Sequence, residues 1–130
     1  MILLDTHVVI WLALTPEKIT PAAATAIRET ESAGATSGIS VMTIYEVTNA
    51  IRLGRIKPTV PHQAFLNRIR SRFKVFPVTE MIAQCAAELP APFHGDPMDR
   101  IITATAIVEG CTLITRDEKI RETNLCKVIW

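Results

Sequence analysis

The 130-residue sequence is poor in cysteine, and its few cysteines follow no recognised spacing. Cys85, Cys111 and Cys126 are odd in number and form no C-x-x-C motif, so the sequence indicates neither a disulfide framework nor a zinc site. Unpaired thiols of this kind are typical of a cytoplasmic protein, and we expect a cytoplasmic location.

Membrane segments and glycine-rich phosphate loops are absent as well. No apolar run is long enough to cross a membrane, so we expect no membrane partner. Residues 1–14 are apolar enough to imitate a signal peptide, but they lack a basic n-region and Asp5 interrupts them. The sequence also lacks a Walker A loop and a G-x-G-x-x-G motif, so no nucleotide-binding loop is indicated.

Acidic residues are missing from a long central segment. None occurs between Val47 and Thr79, whereas this segment holds half of the chain's 14 Lys and Arg residues. The net charge of +1 gives no overall sign of nucleic-acid binding, so such binding would depend on where the charge is concentrated. The basic segment is either a solvated face or a surface for a phosphate backbone, and the sequence allows both interpretations.

What is present is an apolar chain in which strand and helix patterns alternate. The 48% hydrophobic content and the length predict a single domain over residues 1–130. Short apolar runs predict strands at 2–4, 35–37, 73–78, 112–115 and 127–130. Helical spacing and capping residues predict helices at 7–14, 21–32, 41–53, 62–71, 80–89 and 97–109. This alternation is typical of an α/β fold with a mostly parallel central sheet.

Aspartate is scarce, and it is not distributed as surface charge. Each copy lies at a predicted strand-to-helix junction, whereas glutamate occupies helix surfaces; the four are Asp5, Asp96, Asp99 and Asp117. Asp is a preferred N-cap residue, so capping alone accounts for this sorting, and for Asp96 we favour it. Ligands also bind beyond the carboxyl ends of parallel strands, so the same residues are candidates for a site.

A convergence of carboxylates would require a counter-charge. Glu46 lies on a predicted helix among apolar neighbours, although an ordinary exposed glutamate is the usual case there. If Asp5, Glu46, Asp99 and Asp117 meet at one sheet edge, either raised pKa values or a divalent metal must offset their repulsion. Ligands that are all oxygen favour Mg²⁺ or Mn²⁺ over zinc.

Two other α/β classes fit less well. Phosphotransferases of the haloacid-dehalogenase type also begin with an apolar strand that ends in Asp, but they need a second acid two residues later, where this chain has His7. A receiver domain needs an acidic pair before its phospho-acceptor and a Lys after a late strand, and neither is evident.

Four motifs together resemble the PIN-domain family and, more narrowly, the VapC-type toxins of bacterial and archaeal toxin–antitoxin pairs. They are Leu3-Leu4-Asp5-Thr6-His7, the helix that contains residues 40–46, and the segments 96–106 and 113–118, in the family's order. The resemblance covers essentially the whole chain. It implies a PIN-like three-layer α/β/α fold, metal-dependent endoribonuclease activity, a homodimer, and inhibition by an antitoxin protein.

By motif position, the acids of the family fall on Asp5, Glu46, Asp99 and Asp117, which the resemblance implies are the catalytic and metal-binding residues. Asp5 and Asp99 would be direct ligands of Mg²⁺ or Mn²⁺, and Asp117 would bind directly or through water. Glu46 would orient or deprotonate the attacking water. Asp96 competes for the third position, which we place at Asp99 because it directly precedes the family's alanine-rich helix.

For the basic segment, the resemblance predicts contacts with RNA phosphates. We expect them from Arg52, Arg55, Arg68, Arg70 and Arg72. Two alternatives stay open: a non-catalytic PIN-like binding module that works through its partner, and a PIN nuclease that does not act as a toxin. The intact acid set favours the catalytic toxin.

Overall fold

The computed structural model describes residues 1–90, 93 and 95–130, in which one or two helices lie between successive strands; the helix at Glu118–Glu122, between the last two strands, was not predicted. The strands are β1 (Ile2–Leu4), β2 (Gly38–Ser40), β3 (Lys74–Phe76), β4 (Thr112–Ile114) and β5 (Val128–Ile129). The helices are α1 (Thr6–Leu14), α2 (Pro21–Ser32), α3 (Val41–Arg52), α4 (His62–Arg72), α5 (Glu80–Glu88), α6 (Pro97–Val108) and α7 (Glu118–Glu122), with a 3₁₀ turn at Pro16–Lys18.

The five strands form one sheet in the order β3-β2-β1-β4-β5, and every pair is parallel. The chain builds outward from β1 through β2 to β3, then returns to the other side of β1 with β4 and β5. The winding direction therefore reverses between β1 and β4. Ligands of open α/β sheets bind at such a switch point, beyond the carboxyl ends of the strands.

The sheet is covered on both faces, and β1 shows this directly. Ile2 and Leu4 pack in a core formed with residues of α1, α2, α3 and α4. Leu3, which points to the opposite face, packs in a second core with residues of α6 and α7. Helix α5 packs against α6 on that second side. The uninterrupted apolar run of β1 follows from burial on both faces, and the predicted three-layer α/β/α fold is confirmed.

Most helix ends lie close to the predicted positions because their capping residues act locally. Ser40 caps α3 by accepting the N–H of Met42 (3.1 Å), and Thr79 caps α5 by accepting the N–H of Ile82 (3.2 Å). Gly110, just after α6, has a φ of 64°, the left-handed conformation that ends many helices. No helix in the described part of the chain has the length and apolar character needed to span a membrane.

The predicted strand at 35–37 is wrong, because the structure places β2 three residues later, at Gly38–Ser40. Glycine and serine are poor strand formers, so the pattern hides this strand. Packing explains the glycine: a Cβ at Gly38 would overlap the ring of Phe76 in β3. The strands predicted at 73–78 and 127–130 are also shorter than expected, at Lys74–Phe76 and Val128–Ile129.

Candidate active site

Asp5 lies where β1 meets α1, beside the switch point of the sheet. Its backbone N–H donates to the carbonyl oxygen of Ile114 in β4 (3.0 Å), and its Oδ1 accepts the N–H of Thr6 at the start of α1 (2.7 Å). Its Oδ2 accepts a hydrogen bond from the hydroxyl of Thr115 (2.7 Å). The residue is only 5% exposed. Asp5 is therefore both a helix cap and a rigid carboxylate at the edge of the sheet.

Thr115 fastens the segment after β4 to Asp5. Its hydroxyl donates to Asp5 and accepts the backbone N–H of Asp117 (3.0 Å). The Oδ1 of Asp117 in turn accepts the N–H groups of Lys119 (2.8 Å) and Ile120 (3.2 Å), which caps α7. One buried hydroxyl thus fixes Asp117 relative to Asp5.

Glu46 reaches the same region from α3. Its Oε1 accepts a hydrogen bond from the hydroxyl of Thr6 (2.6 Å), and that hydroxyl lies 3.1 Å from the hydroxyl of Thr43. Thr43 precedes Glu46 by three residues, so the two side chains share one face of α3. The contacts orient the Glu46 carboxylate from a buried anchor, because Thr6 and Thr43 are both buried.

Asp96 and Asp99 lie at the start of α6. The Oδ1 of Asp96 accepts the N–H of Met98 (2.9 Å), so Asp96 is the N-cap that the sequence predicts. Asp99 follows in the first turn and is partly buried. Both residues nevertheless line the same cleft as Asp5.

These side chains surround one open cleft of about 1000 Å³. Its acidic lining residues are Asp5, Glu46, Asp96, Asp99, Asp117 and Glu118. Its other lining residues are His7, Trp11, Arg116, Lys119, Arg121 and Trp130. The structure thus brings together all four acids selected from the sequence, and it adds Asp96 and Glu118.

Burial in this cleft raises the pKa of three of its carboxyl groups. For Asp99 the pKa rises from 3.8 to about 7, first through burial and then through the negative charges of Asp5, Asp96, Asp117 and Glu46. The pKa of Glu46 is raised by burial, against the hydrogen bond from Thr6. The pKa of Asp5 is also raised by burial, against its hydrogen bonds with Thr115 and Thr6. Repulsion and desolvation on this scale favour a bound cation or a bound proton.

Comparison with known proteins assigns the family. The family model described as PIN domain matches residues 2–124. The chain belongs to the PIN-domain family. One relative, Ribonuclease VapC22 of Mycobacterium tuberculosis, is 31% identical to it over 120 residues, which cover 92% of this chain and 89% of the relative. The predicted resemblance to PIN domains and to VapC proteins is confirmed.

Solved structures share the fold of this PIN domain. VapBC2 from Rickettsia felis, bound to a DNA fragment from its promoter, matches with a TM-score of 0.76 at 18% identity and covers 99% of this chain and 98% of its own. A toxin–antitoxin complex from Klebsiella pneumoniae matches with a TM-score of 0.68 at 24% identity and covers 100% and 97%. At these identities the likeness establishes the three-layer fold.

The donor set of this PIN domain suits a hard divalent cation. Within residues 1–90, 93 and 95–130, no three His, Cys, Asp or Glu side chains are grouped closely enough to hold a metal ion as they stand. Mg²⁺ does not need such a group, because it keeps several waters and is usually bound through one or two carboxylates. The fit to a hard divalent cation therefore rests on the carboxylate oxygens that line the cleft, such as those of Asp99 and Glu46.

The basic residues expected to bind RNA lie elsewhere on the surface of the PIN domain. All five are exposed, and within the described chain none lines the acidic cleft: Arg52, Arg55, Arg68, Arg70 and Arg72. Several already have local partners, since Arg72 pairs with Glu31 (3.2 Å) and Arg70 donates to Asn67 (3.2 Å). Their contact with RNA stays a prediction.

The sequence interpretation missed the residues that support the acids. The hydroxyl of Thr6 holds Glu46, although nothing in the pattern predicts that α1 and α3 meet there. Asp96, which the sequence offered as the alternative third acid, is the helix cap and also lines the cleft. The spacing of three residues between Thr43 and Glu46 was the one signal that could have revealed part of this network.

Proposed function

We propose that this PIN domain is an endoribonuclease toxin of a toxin–antitoxin pair, and that it requires Mg²⁺ or Mn²⁺ to hydrolyse RNA phosphodiesters. The observation that carries the proposal is the convergence of Asp5, Glu46, Asp99 and Asp117 on one cleft. Further support comes from the relative named as a ribonuclease and from neighbours described as toxin–antitoxin or VapBC structures.

Each acid has a distinct role in this proposal. Asp5 and Asp99 would hold the cation, and Asp117 would complete the set directly or through water. A divalent cation would supply charge stabilisation for the phosphodiester and lower the pKa of the attacking water. Glu46 would accept a proton from the attacking water, a role that suits a carboxyl group whose pKa is raised by burial. Thr6 keeps its carboxylate in one orientation through the 2.6 Å hydrogen bond.

Cation binding would release a proton from this site. Asp99 has a pKa of about 7 without metal, so near neutral pH it is only partly ionised. A cation binds the ionised form and therefore displaces the proton. Affinity for Mg²⁺ is then expected to increase as the pH rises through this pKa.

The partners in this proposal are RNA, a cognate antitoxin protein and a second copy of the chain. An antitoxin would block the cleft or its approach until it is degraded or displaced. The homodimer and the cytoplasmic location remain predictions of the family resemblance. We expect the cytoplasmic location because a toxin that cleaves cellular RNA must act in the compartment that holds this RNA.

The test is cleavage of structured RNA by the purified protein with Mg²⁺ or Mn²⁺, repeated in EDTA. We expect cleavage only with metal, and a loss of at least about 100-fold in Asp5→Asn, Glu46→Gln and Asp99→Asn, which is the scale of catalytic acid–base groups. Glu29→Gln, which removes an exposed carboxylate from α2, is the matched control and should keep full activity. Undiminished cleavage in EDTA would contradict the proposal.

A second measurement separates the alternative functions. Expression of the wild type should arrest growth, Asp5→Asn should not, and co-expression of the antitoxin should restore growth. A nuclease whose expression is harmless would be a PIN enzyme that is not a toxin. A chain that arrests growth equally as Asp5→Asn would be a non-catalytic binding module.

A further inference from the structure

Both tryptophans of the chain lie in one wall of the acidic cleft. The ring centroids of Trp11, on α1, and Trp130, after β5, are 5.7 Å apart, and the ring of His7 lies 5.8 Å from that of Trp11; both pairs are tilted, at 46° and 51°. The guanidinium of Arg116 lies over Trp11 at 5.5 Å from its centroid, within the range of a cation–π contact. We call these four residues the aromatic wall.

The aromatic wall leaves its one arginine available. Trp11 is only 8% exposed and forms the buried centre of the wall, whereas His7 and Arg116 are exposed and Trp130 is partly exposed. Among the described residues Arg116 forms no salt bridge. The Trp11 ring orients its guanidinium without neutralising it, so its in-plane N–H groups can bind an anion.

The negative charge of the cleft gives a cation in its lining a favourable effect on RNA binding. The acids of the cleft repel a polyanion, and the exposed arginines of α3 and α4 do not line it in the part of the chain that the structure describes. The cations that do line it all follow β4, at positions 116, 119 and 121. Arg116 lines the same cleft as the acids, so a phosphate bound to Arg116 lies in that cleft.

We propose that the aromatic wall is the subsite that positions single-stranded RNA in the cleft: Arg116 binds a phosphate beside the one that is cleaved, and Trp130 stacks on a base. This inference rests on the proposed function. A planar guanidinium binds phosphate through two parallel hydrogen bonds, and an aromatic face accepts any base that is not already stacked in a duplex. Trp11 contacts both of these residues and holds them in place.

The two tryptophans provide a direct probe of binding without cleavage. We would titrate the metal-free protein in EDTA with a single-stranded RNA oligonucleotide and follow tryptophan emission. The anisotropy of the same oligonucleotide, carrying a label, gives the binding curve independently. We expect emission to be quenched with the same midpoint as the anisotropy, and a duplex of the same sequence to quench less.

Substitution of Arg116 tests the phosphate contact. Arg116→Gln should weaken RNA binding by about tenfold, which corresponds to one charge-assisted contact, and lower the salt dependence by roughly one counterion. Arg116→Lys keeps the charge but loses the planar fork and should be intermediate. Arg28→Gln, an equal charge change on an exposed residue of α2, should bind like the wild type. With Mg²⁺, Arg116→Gln should raise KM by a larger factor than it lowers kcat.

The outcomes separate this inference from the proposed function. Unchanged affinity and salt dependence in Arg116→Gln would overturn the inference. RNA binding that changes the anisotropy but not the tryptophan emission would also overturn it, and this is the result expected if the wall binds a protein partner. Arg116-dependent binding in a protein that never cleaves RNA supports the inference and overturns the proposed function. Melting curves of each Arg116 variant confirm that the fold is intact.

Discussion

Replacing Asp99 by Asn should stabilise the metal-free protein above neutral pH and have little effect in acid. The pKa of Asp99 rises from 3.8 to about 7 in the folded state, first because of burial and then because of the neighbouring acids. The folded state therefore binds this proton more tightly than the unfolded chain does. Stability is lost as the pH rises between these two values and stays at the lower level above them. Asparagine has the same shape and no charge to desolvate.

The size of the effect follows from the pKa shift. One pKa unit corresponds to about 1.4 kcal/mol, so a shift from 3.8 to about 7 gives an upper limit of about 4 kcal/mol. Asp99 is only partly buried, and solvent screening reduces the energy, so we expect about 2 kcal/mol. For a chain of this length that difference corresponds to about 6–8 °C in Tm.

Urea unfolding in EDTA at about pH 4.5 and about pH 8 measures the difference. Asp99→Asn should exceed the wild type in stability at the higher pH and nearly match it at the lower. Adding Mg²⁺ at the higher pH should stabilise the wild type more than the variant, because the variant lacks a proposed ligand. The reasoning would be refuted if the variant were less stable than the wild type at about pH 8. It would also be refuted if the variant were more stable by the same amount at both pH values.

Asp96→Asn is the paired comparison for this experiment. Asparagine caps a helix nearly as well as aspartate, so this variant should keep its stability and its cleavage activity. Asp96→Ala should lose about 0.5–2 kcal/mol through the lost cap. If Asp96→Asn abolishes cleavage while Asp99→Asn spares it, the third acid of the site is Asp96.

Three further predictions concern the supports of the site and the basic surface. Thr115→Val should lower the free energy of unfolding by about 1–3 kcal/mol, because it leaves a buried oxygen of Asp5 without its hydrogen-bond donor. Thr115→Ser keeps the hydroxyl and should retain most of the wild-type stability. Gly38→Ala should lower the free energy of unfolding by about 1–3 kcal/mol, since the added methyl group overlaps the Phe76 ring. An unchanged unfolding midpoint would show that the ring moves aside freely. Replacing three arginines of α4 by Glu should weaken RNA binding and reduce its dependence on salt concentration. An unchanged salt dependence would show that this surface is only solvated. The three are Arg68, Arg70 and Arg72.

The parts of the fold that the sequence predicted are those that local rules determine. Thr79 and Asp96 start helices through hydrogen bonds to residues two or three positions away, so their effect is visible in a short window. β2 was misplaced because its residues are determined by distant neighbours. Gly38 is required by the ring of Phe76, which is close to it only in the folded sheet.

The candidate site was also predicted only in part. Asp5 and Asp117 could be selected because each follows an apolar strand, and parallel strands bring their carboxyl ends to one edge. The contact of Thr6 with Glu46 joins residues 40 positions apart and depends on how closely α1 approaches α3. No periodic pattern in the sequence reveals a contact between residues so far apart. The acids were therefore predicted, whereas the hydroxyl group that orients Glu46 was not.

The hydrogen-bonded chain from Thr43 through Thr6 to Glu46 has a polarity. Each hydroxyl has a single proton to donate, so when Glu46 is ionised Thr6 gives its proton to Oε1 (2.6 Å) and must accept from Thr43 (3.1 Å). The direction of both bonds is therefore set by the ionised carboxylate, which can only accept. Thr43 is fully buried. A negative charge at the edge of the cleft therefore fixes the orientation of a hydroxyl inside the core.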